Sequence, residues 1–247
     1  GDSPFIVQMV VRLAEYGVEV TPVELTTTHE RVVARLRVAS DEQAGSHTPR
    51  PRALSDSLVS AQIHETALTN AAVSLELDGR RFSATELAEL FHKKFPQAEE
   101  RSIDEEQRGA VFEFAKQDAV QFHIENGRLE VTLSLVSLEL DGRRMRNFVV
   151  HAFYVPAVNG LEAELVRDGS LGVEGRLSST ERARLHNVFN SVLPPERTIP
   201  MVRLDDKSDP RLAGLMISQL VMEDGWLCVA VGPARNARVA ERSRSLR

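Results

Sequence analysis

The sequence predicts an α+β fold in which a long, twisted antiparallel sheet, wrapped or partly closed into a barrel, packs on three to four helices. Two observations favour this fold. After residue 110, apolar residues recur at every second position in successive segments, which is typical of strands with one buried face. Turn-forming dipeptides separate these segments: Asn126-Gly127, Asp141-Gly142, Asn159-Gly160, Asp168-Gly169 and Asp224-Gly225. A β-sandwich or barrel with peripheral helices fits the same pattern.

The composition is that of a soluble globular protein. The chain has 247 residues, of which 42% are hydrophobic and 27% are charged, so it can bury a sizeable core. A net charge of -6 and an aromatic content of 5% argue against nucleic acid as a partner. The single cysteine, Cys228, excludes an internal disulfide and is expected to be inert in the core. The nearly apolar run at 5–11 is far too short to span a bilayer, so no transmembrane segment is expected.

Composition divides the chain into four parts. Residues 1–39 are predicted as strands, or as a helix followed by strands, joined to the same sheet as the rest. Residues 40–54 form a flexible polar loop, residues 55–233 form the main α+β domain, and residues 234–247 form a basic tail that is expected to be disordered. Because the chain starts with Gly1 rather than Met, we interpret Gly1 as a tag remnant and expect that any signal peptide is missing.

The first helix of the main domain follows a predicted strand, "SLVSAQIHE". Its sequence "TALTNAAVSLEL" places a continuous apolar stripe at helical spacing, made of Ala67, Leu68, Ala71, Ala72 and Leu75. Gly79 is predicted to be its C-terminal cap, because glycine tolerates the left-handed backbone that ends many helices.

Two further helices each begin with an S-x-x-E capping box, in which serine and glutamate satisfy free backbone N–H groups. Ser83 and Glu86 open the first, and Ser178 and Glu181 open the second. Apolar faces follow the boxes: Leu87, Leu90, Phe91 and Phe95 in the first helix, and Leu185, Val188, Phe189, Val192 and Leu193 in the second. Prolines at positions 96 and 194 are expected to end these helices.

The nine residues "VSLELDGRR" occur twice, at 73–81 and at 136–144. The first copy follows a segment with helical periodicity, and the second follows the alternating segment "RLEVTLSL". We therefore predict that the first copy ends a helix and that the second forms a strand and a turn, because context overrides local propensity. The flanking residues of the copies do not match, which favours coincidence over a duplicated domain.

One predicted strand is apolar on both faces. The alternation changes phase at residues 135–136, which predicts a β-bulge or a bend. Between residues 145 and 155 both alternating sets are apolar, so we expect a core on one side and a helix or a ligand on the other. This strand and the first helix supply the candidate ligand-binding residues: Leu68, Ala72, Leu75, Phe148, Val150 and Tyr154.

No catalytic, cofactor-binding or metal-binding motif is recognisable in the sequence. "HETAL" at 64–68 begins like the H-E-x-x-H zinc helix, but Leu68 stands where the second histidine belongs. The chain is therefore not expected to be an enzyme or to bind a metal or a cofactor. The pair His64-Glu65 lies at a strand-to-helix junction, where capping of the helix is the favoured interpretation. A catalytic role would gain support if His64, Glu65 and His123 met in a cleft.

The stretches "IHETALTNAAVSLEL" and "FAKQDAVQFHIENGRLEV", with the closing "EDGWLCVAVG", resemble a family of uncharacterised secreted proteins from planctomycete-type bacteria. That family carries a strand, an H-E-S-A-L-N-N helix and later antiparallel strands. The chain departs from it at Thr69 and Ala119, where the family has Asn and Pro. The resemblance implies a secreted or cell-envelope location and brings no known activity. A fainter similarity is to tubular lipid-binding proteins of the bactericidal/permeability-increasing protein type, whose twisted sheet wraps around a helix.

Together these patterns favour a non-catalytic cell-envelope module that binds a lipid or another apolar ligand in a groove between sheet and helices. The alternative is a structural or protein-interaction domain of a larger envelope protein, without a ligand. An exposed apolar groove would favour the first function, and a closed core would favour the second. The basic tail, which carries five arginines, could contact anionic lipid or another partner.

Overall fold

The computed structural model describes residues 20–27, 32–38, 48–49, 51–73, 75–94, 107, 109–193, 195, 198–204, 212–234 and 238–239. These residues form fourteen strands and three helices. The strands are β1 (Val20–Thr27), β2 (Val32–Val38), β3 (Val59–His64), β4 (Arg81–Ser83), β5 (Val111–Phe114), β6 (Val120–Glu125), β7 (Arg128–Leu140), β8 (Arg143–Asn159), β9 (Glu162–Arg167), β10 (Gly172–Gly175), β11 (Thr198–Arg203), β12 (Leu215–Glu223), β13 (Trp226–Pro233) and β14 (Arg238–Val239). The helices are α1 (Glu65–Val73), α2 (Ala84–Lys94) and α3 (Ser179–Val192). The predictions for residues 1–19, 40–47, 95–96, 194, 235–237 and 240–247 fall outside the described residues.

The strands form three sheets, in which all pairs but one are antiparallel. The main sheet has eight strands, with the order β11-β9-β8-β7-β5-β4 and with β10 beside β8 and β6 beside β7. The second sheet has four strands in the order β14-β12-β13-β3. The predicted α+β class is confirmed, but the expected partial closure into a barrel is wrong, because the end strands β4 and β11 do not meet. The third sheet consists of β1 and β2, which pair with each other, and the expected joining of residues 1–39 to the main sheet stays a prediction.

Two long strands, β7 and β8, form the centre of the main sheet and pair along most of their length. On its other side β7 pairs with β6 and then with β5, whereas β8 pairs with β10 and then with β9. Each long strand thus carries two short strands end to end. The reason lies in the sequence, where strand-forming apolar residues extend through both long strands while turns and loops interrupt their neighbours.

The predicted phase change in β7 is confirmed as a β-bulge. The pairing with β5 shifts register at Val136, which is the extra residue. As a result Leu135 and Leu138 are both buried, although they lie an odd number of positions apart. Opposite Val136, Asn147 of β8 adopts a left-handed backbone with a φ of 51°.

The predicted tight turns are also confirmed. In three of them both central residues have positive φ, as type I′ hairpin turns require: Asn126-Gly127, Asp141-Gly142 and Asp224-Gly225. In the other two the glycine alone has positive φ: Gly160 and Gly169.

The two copies of "VSLELDGRR" adopt different structures, as predicted, but α1 is shorter than expected. The second copy continues β7 and turns into β8, whereas Val73 is the last helical residue of the first. After the helix the N–H groups of Leu75 and Glu76 bond to the carbonyls of Ala72 and Val73, which tightens the last turn, and Leu75 and Leu77 are both buried. The chain therefore leaves the helix and turns at Glu76, with a φ of 52°. Gly79 lies in a separate turn rather than at a helix cap.

Both predicted capping boxes are confirmed. In α3 the Ser178 side chain accepts a hydrogen bond from the N–H of Glu181, whose carboxylate accepts from the N–H of Ser178. Ser83 and Glu86 make the same exchange at α2. These bonds satisfy N–H groups that a helix start would otherwise leave without partners.

The core lies between the main sheet, α3 and β12. The side chain of Phe189 from α3 makes edge-on contacts with Phe112 of β5 and Phe148 of β8, at ring distances of 5.9 and 6.3 Å. β12 packs against β6, β7 and β8 and buries Ile217 and Leu220. Apolar faces of two sheets and one helix therefore meet in a single interior.

Candidate docking edge at strand β3

The six predicted ligand-binding residues lie in the packed interior. Phe148, Val150 and Tyr154 are at most 3% exposed and belong to the hydrophobic core. Ala72 and Leu75 are buried as well, and Leu68 is half-buried against the same core. A ligand among these side chains would require the core to open, so this site stays a prediction.

The predicted polar pair at the β3–α1 junction separates into two contacts. The carboxylate of Glu65 accepts a hydrogen bond from the N–H of Ile124 at 2.5 Å and lies 3.1 Å from Nδ1 of His123. His64 instead packs edge-on against the indole of Trp226, with ring centroids 4.9 Å apart. Glu65 therefore ties α1 to β6 and also lies in the first turn of α1. His64, directly before the helix, accepts the N–H of Thr66, which agrees with the capping interpretation of this pair. His64 and His123 contact different partners, so the three polar residues do not converge on one point.

The ring of His64 has a defined tautomer. Its Nδ1 accepts a hydrogen bond from the N–H of Thr66 at 3.2 Å, so the proton is assigned to Nε2. Nε2 lies 3.2 Å from Oγ1 of Thr48, which also accepts from the indole N–H of Trp226. Burial lowers the pKa of His64 below its ordinary value of 6.5, against the raising effect of the Glu65 carboxylate. The neutral ring is therefore the form that fits this junction.

The hollow between β4 and α2 is a second surface feature. Its lining mixes cationic, anionic and apolar side chains: Arg80, Arg81, Phe82, Glu86, Glu89 and Leu90. Both arginines already have carboxylate partners, Arg80 with Glu76 at 3.2 Å and Arg81 with Glu139 at 2.8 Å. The two arginines of the hollow are thus paired with carboxylates of the same chain and do not indicate a bound anion.

The end strands of the main sheet are short, interrupted or covered. β4 has three residues, and β11 carries Pro200 beside a register shift. α1 covers the outer edge of β6, where Glu65 and Thr69 accept hydrogen bonds from backbone N–H groups. α3 covers β10, where the Arg182 guanidinium donates to the carbonyl of Val173. These are devices that keep sheets from pairing with other chains.

At β3 the described residues show no charge, proline or pairing strand at the outer edge, although loop residues contact two of its side chains: Gln62 donates to the carbonyl of Pro51, and His64 lies beside Thr48. β3 ends the second sheet, and within the described residues no strand pairs with its other side. The run 58–64 contains no Asp, Glu, Lys, Arg or Pro.

The N–H of Glu65 donates to the carbonyl of Gly225, on the β13 side. Alternate residues of an antiparallel strand bond to the same neighbour, so the odd-numbered residues of β3 face β13. The backbone groups of Ser60 and Gln62 therefore face the other, open side. As far as the structure describes the chain, β3 is thus an uncharged strand whose outer edge pairs with no other strand.

Two apolar side chains are exposed where β3 begins. Leu58 is 54% exposed and Val59 is 39% exposed. Val59 pairs with Val231 of β13, which is buried in the core, and directly paired residues share one face of a sheet. Val59 thus faces the core side and stays exposed because the sheet ends beside it.

Sequence reasoning found this strand but not its place in the sheet. "SLVSAQIHE" was predicted as a strand, whereas nothing in its pattern says that its partner is β13 or that its other edge pairs with no described strand. The available signal was the uncharged run in a chain of which 27% is charged.

Among the residues that the structure describes, no group of three or more His, Cys, Asp or Glu side chains is arranged to hold a metal ion. None of the helices in the described ranges has both the length and the apolarity needed to cross a bilayer.

Comparison with known proteins gives no relative from which a role could be taken. No protein-family model matches the sequence, and no curated protein matches it significantly. The resemblance to secreted planctomycete-type proteins therefore stays a prediction, and the function has to be argued from the surface of this chain.

Proposed function

We propose that this chain is a non-catalytic protein-interaction module that accepts an extended segment of a partner protein alongside β3. The observation that carries the proposal is the uncharged edge of β3, which in the described part of the chain lacks the protection found on the end strands of the main sheet. Addition of a strand to an exposed sheet edge is a recurrent mode of peptide recognition. This function is the protein-interaction alternative to the lipid-binding function that the sequence patterns favoured.

Strand addition would satisfy both features of this edge. A bound strand would pair with the outward backbone groups of Ser60 and Gln62, and each such hydrogen bond contributes about 1 kcal/mol net. The same strand would cover Leu58 and Val59, and fully burying a side chain of this size is worth about 1.5–3 kcal/mol. Backbone bonds would supply affinity, and the two apolar side chains would select an apolar or uncharged partner segment.

The closed core supports this function over a ligand in the predicted groove. Phe148 packs edge-on against Phe189, and Phe148 and Val150 are both buried in the described core, so a ligand at these side chains would have to displace core contacts. The polar groups of the β3–α1 junction also have structural partners, as Glu65 does in the N–H of Ile124. Their use in the fold favours a role without catalysis.

A peptide titration tests the proposal. The probe is the synthetic peptide "SLVSAQIHE", an uncharged strand except for its last residue, added to the isotope-labelled chain. We expect the backbone amide signals of Ser60 and Gln62 to shift and their hydrogen exchange to slow. Val59→Lys should abolish these changes, because it places a charge on the edge at a side chain with room to stay solvated.

Ile199→Lys is the matched control. Ile199 is 41% exposed and also lies on an end strand, but Pro200 follows it there. This variant should bind the peptide as the parent chain does. Amide changes that are absent from β3, or that survive Val59→Lys, would show that β3 is not the docking edge.

An apolar ligand is the second candidate function, supported by the other face of β8. Val149, Phe153 and Val155 alternate with the core residues of that strand and are half-buried on the opposite face. A lipid would contact this face rather than the predicted groove. Native mass spectrometry after incubation with total bacterial lipid tests it: an adduct that Phe153→Glu removes supports the ligand, and a clean apo mass contradicts it.

We also propose a cell-envelope or secreted location, which has the family resemblance as its support. Fractionation of cells of the source organism, with an antibody against this chain, tests the location. Signal in the envelope or the medium is expected, and signal confined to the cytosol contradicts the proposal.

A further inference from the structure

We infer that the segment that occupies the edge of β3 is the β3 strand of a second copy of this chain, paired antiparallel about a two-fold axis at Ala61. This inference rests on the proposed function, because it names the partner for the same edge. Identical chains that pair through one patch around a two-fold axis form the commonest closed assembly.

The direction of the backbone groups in β3 excludes half of the possible registers, and the side chains then favour the one with its axis at Ala61. Ser60 and Gln62 point to the open side, so the hydrogen-bonded pairs between two copies have to use these residues. A two-fold axis at Ala61 sets Ser60 of one copy opposite Gln62 of the other, and the reverse. The same register brings the two Ala61 residues together as a pair without hydrogen bonds between them. If the pairing of the two β3 strands were shifted by one residue, the outward groups of one copy would lie opposite residues of the other copy whose backbone groups already bond to β13.

The side chains of β3 fit the same arrangement. Val59 of one copy comes to lie opposite Ile63 of the other on the core-facing side, and this happens on both sides of the axis. Val59 is 39% exposed in the single chain, so the pairing would bury apolar surface that the fold itself leaves open. Small alanine side chains at the axis allow the two strands to approach without a clash.

The lack of charge on this edge permits pairing with an identical strand. An identical strand brings its own charges with it, and like charges directly opposite each other destabilise a strand pair. The run 58–64 has no formal charge, although the whole chain carries a net charge of -6. β3 can therefore meet itself without the repulsion that a charged edge would create.

The assembled dimer would have one sheet that crosses the interface. Each second sheet contributes four strands, in the order β14-β12-β13-β3. The two end strands would become the central pair of the joint sheet. The free edge of each chain would then disappear, as it does in closed assemblies.

A cysteine variant tests the register directly. In an antiparallel pair without hydrogen bonds the Cα atoms lie about 4.5 Å apart, within the range that a disulfide needs. Ala61→Cys should therefore form a disulfide-linked dimer under mild oxidation. Ser60→Cys is the matched control, because its own copy in the partner is offset along the strand and lies too far away. The native Cys228 is buried and should not react.

A mixture of two single variants sharpens the test. Ser60→Cys and Gln62→Cys chains should cross-link with each other when mixed, whereas neither should link efficiently to itself. Equal cross-linking of Ala61→Cys and Ser60→Cys would mean random collision and would overturn the inferred register.

Sedimentation of the chain without added cysteines gives the independent readout. We expect a species of twice the chain mass of 27.4 kDa. Val59→Lys should weaken the dimer about tenfold or more, because it removes buried apolar contact at both ends of the pair. Ile199→Lys should leave it unchanged.

The outcomes separate this inference from the proposed function. A chain that stays monomeric and uncross-linked, but still binds the β3 peptide at Ser60 and Gln62, overturns the second copy and leaves strand docking intact. A chain that neither dimerises nor binds the peptide overturns both.

Discussion

The carboxylate of Glu65 accepts a hydrogen bond from the backbone N–H of Ile124 at 2.5 Å, across the gap between α1 and β6. Four positions further along the helix, Oγ1 of Thr69 accepts from the N–H of Phe122 at 3.2 Å. The spacings agree, because four helical residues rise about 6 Å and two strand residues advance about 6.6 Å. α1 thus supplies acceptors at the repeat distance of a strand edge, which closes the edge of β6 without a further strand.

Loss of the Glu65 acceptor should destabilise the fold. Glu65→Ala leaves the N–H of Ile124 without a partner, and an unsatisfied buried donor costs about 1–3 kcal/mol. Glu65→Gln keeps an oxygen acceptor at the same distance and should lose less. Urea unfolding at neutral pH measures both variants. Equal losses would instead assign the stabilisation to the charge of Glu65 beside His123.

His64 should titrate below its ordinary pKa of 6.5, because burial disfavours the charged ring. The folded state then binds fewer protons than the unfolded state, so the contribution of His64 to stability is complete above pH 6.5 and declines as the pH falls through that value. Protonation would also remove the acceptor that Nδ1 offers to the N–H of Thr66. Proton–carbon NMR of the histidine rings measures the titration.

The stability profile gives a second check on His64. Between neutral pH and pH 5, His64→Gln should lose less stability than the parent chain, because it has no ring to protonate. A His64 midpoint at or above 6.5, or parallel profiles for the two chains, would contradict this account.

Two glycines in equivalent turns should respond differently to alanine. Gly127 and Gly225 both occupy the second turn position, with φ values of 77° and 82°. An added Cβ at Gly127 meets nothing within 4 Å, so Gly127→Ala should cost only the left-handed strain of about 1–2 kcal/mol. At Gly225 the Cβ would lie 2.7 Å from Nε2 of His64, whose ring is held by Thr48 and Thr66.

Gly225→Ala should therefore cost more than Gly127→Ala, by roughly 1–3 kcal/mol for the forced shift of the ring. Thermal and urea unfolding of both variants measure the difference. The fluorescence of Trp226, the only tryptophan, should also change in Gly225→Ala alone, because its indole packs on His64. Similar losses in both variants would mean that the His64 ring moves freely.

The capping box of α3 should give the protein part of its acid sensitivity. Hydrogen bonds from the side chain and the backbone of Ser178 hold the pKa of Glu181 below its ordinary value of 4.5. A carboxylate with a lowered pKa stabilises the fold above pH 4.5, and this contribution is lost as the pH falls through the lowered value. Ser178→Ala removes the cap and should cost about 1 kcal/mol at neutral pH.

The pH profile distinguishes the box from an ordinary surface change. Below pH 4.5 the gap between Ser178→Ala and the parent chain should narrow, because the protonated Glu181 no longer favours its bonds to Ser178. Thr180→Ala, an exposed change in the same turn, should follow the parent chain at every pH. A gap that stays constant through acid unfolding would contradict the assigned role.

Local signals predicted local structure well. The dipeptides at Asn126 and Asp224 and the boxes at Ser83 and Ser178 depend on residues within one turn, and all of them are confirmed. The phase change at Val136 is equally local, because a bulge changes which side chains face the core. α1 was predicted too long because the apolar stripe of the sequence continues to Leu75, whereas the chain tightens after Val73 and turns at Glu76.

Long-range pairing was beyond the reach of the sequence. Alternation marks β3 and β13 as strands but does not say that they pair with each other and leave the main sheet. The lack of long-range information in the sequence also explains why apolar core residues were proposed as ligand contacts. An apolar side chain such as Val150 has the same pattern whether it contacts a ligand or Phe189 and its neighbours, and only packing decides between them.

The pairing of β3 with β13 also sets an order for synthesis. Val59 precedes the entire main sheet in the chain, whereas its partner Val231 follows it. A ribosome therefore delivers every strand of the main sheet before β3 can find its place, and until then β3 has two unpaired edges. Several nascent chains on one messenger RNA would hold their unpaired β3 strands close to each other. During synthesis β3 is therefore the segment for which binding by a chaperone would matter most.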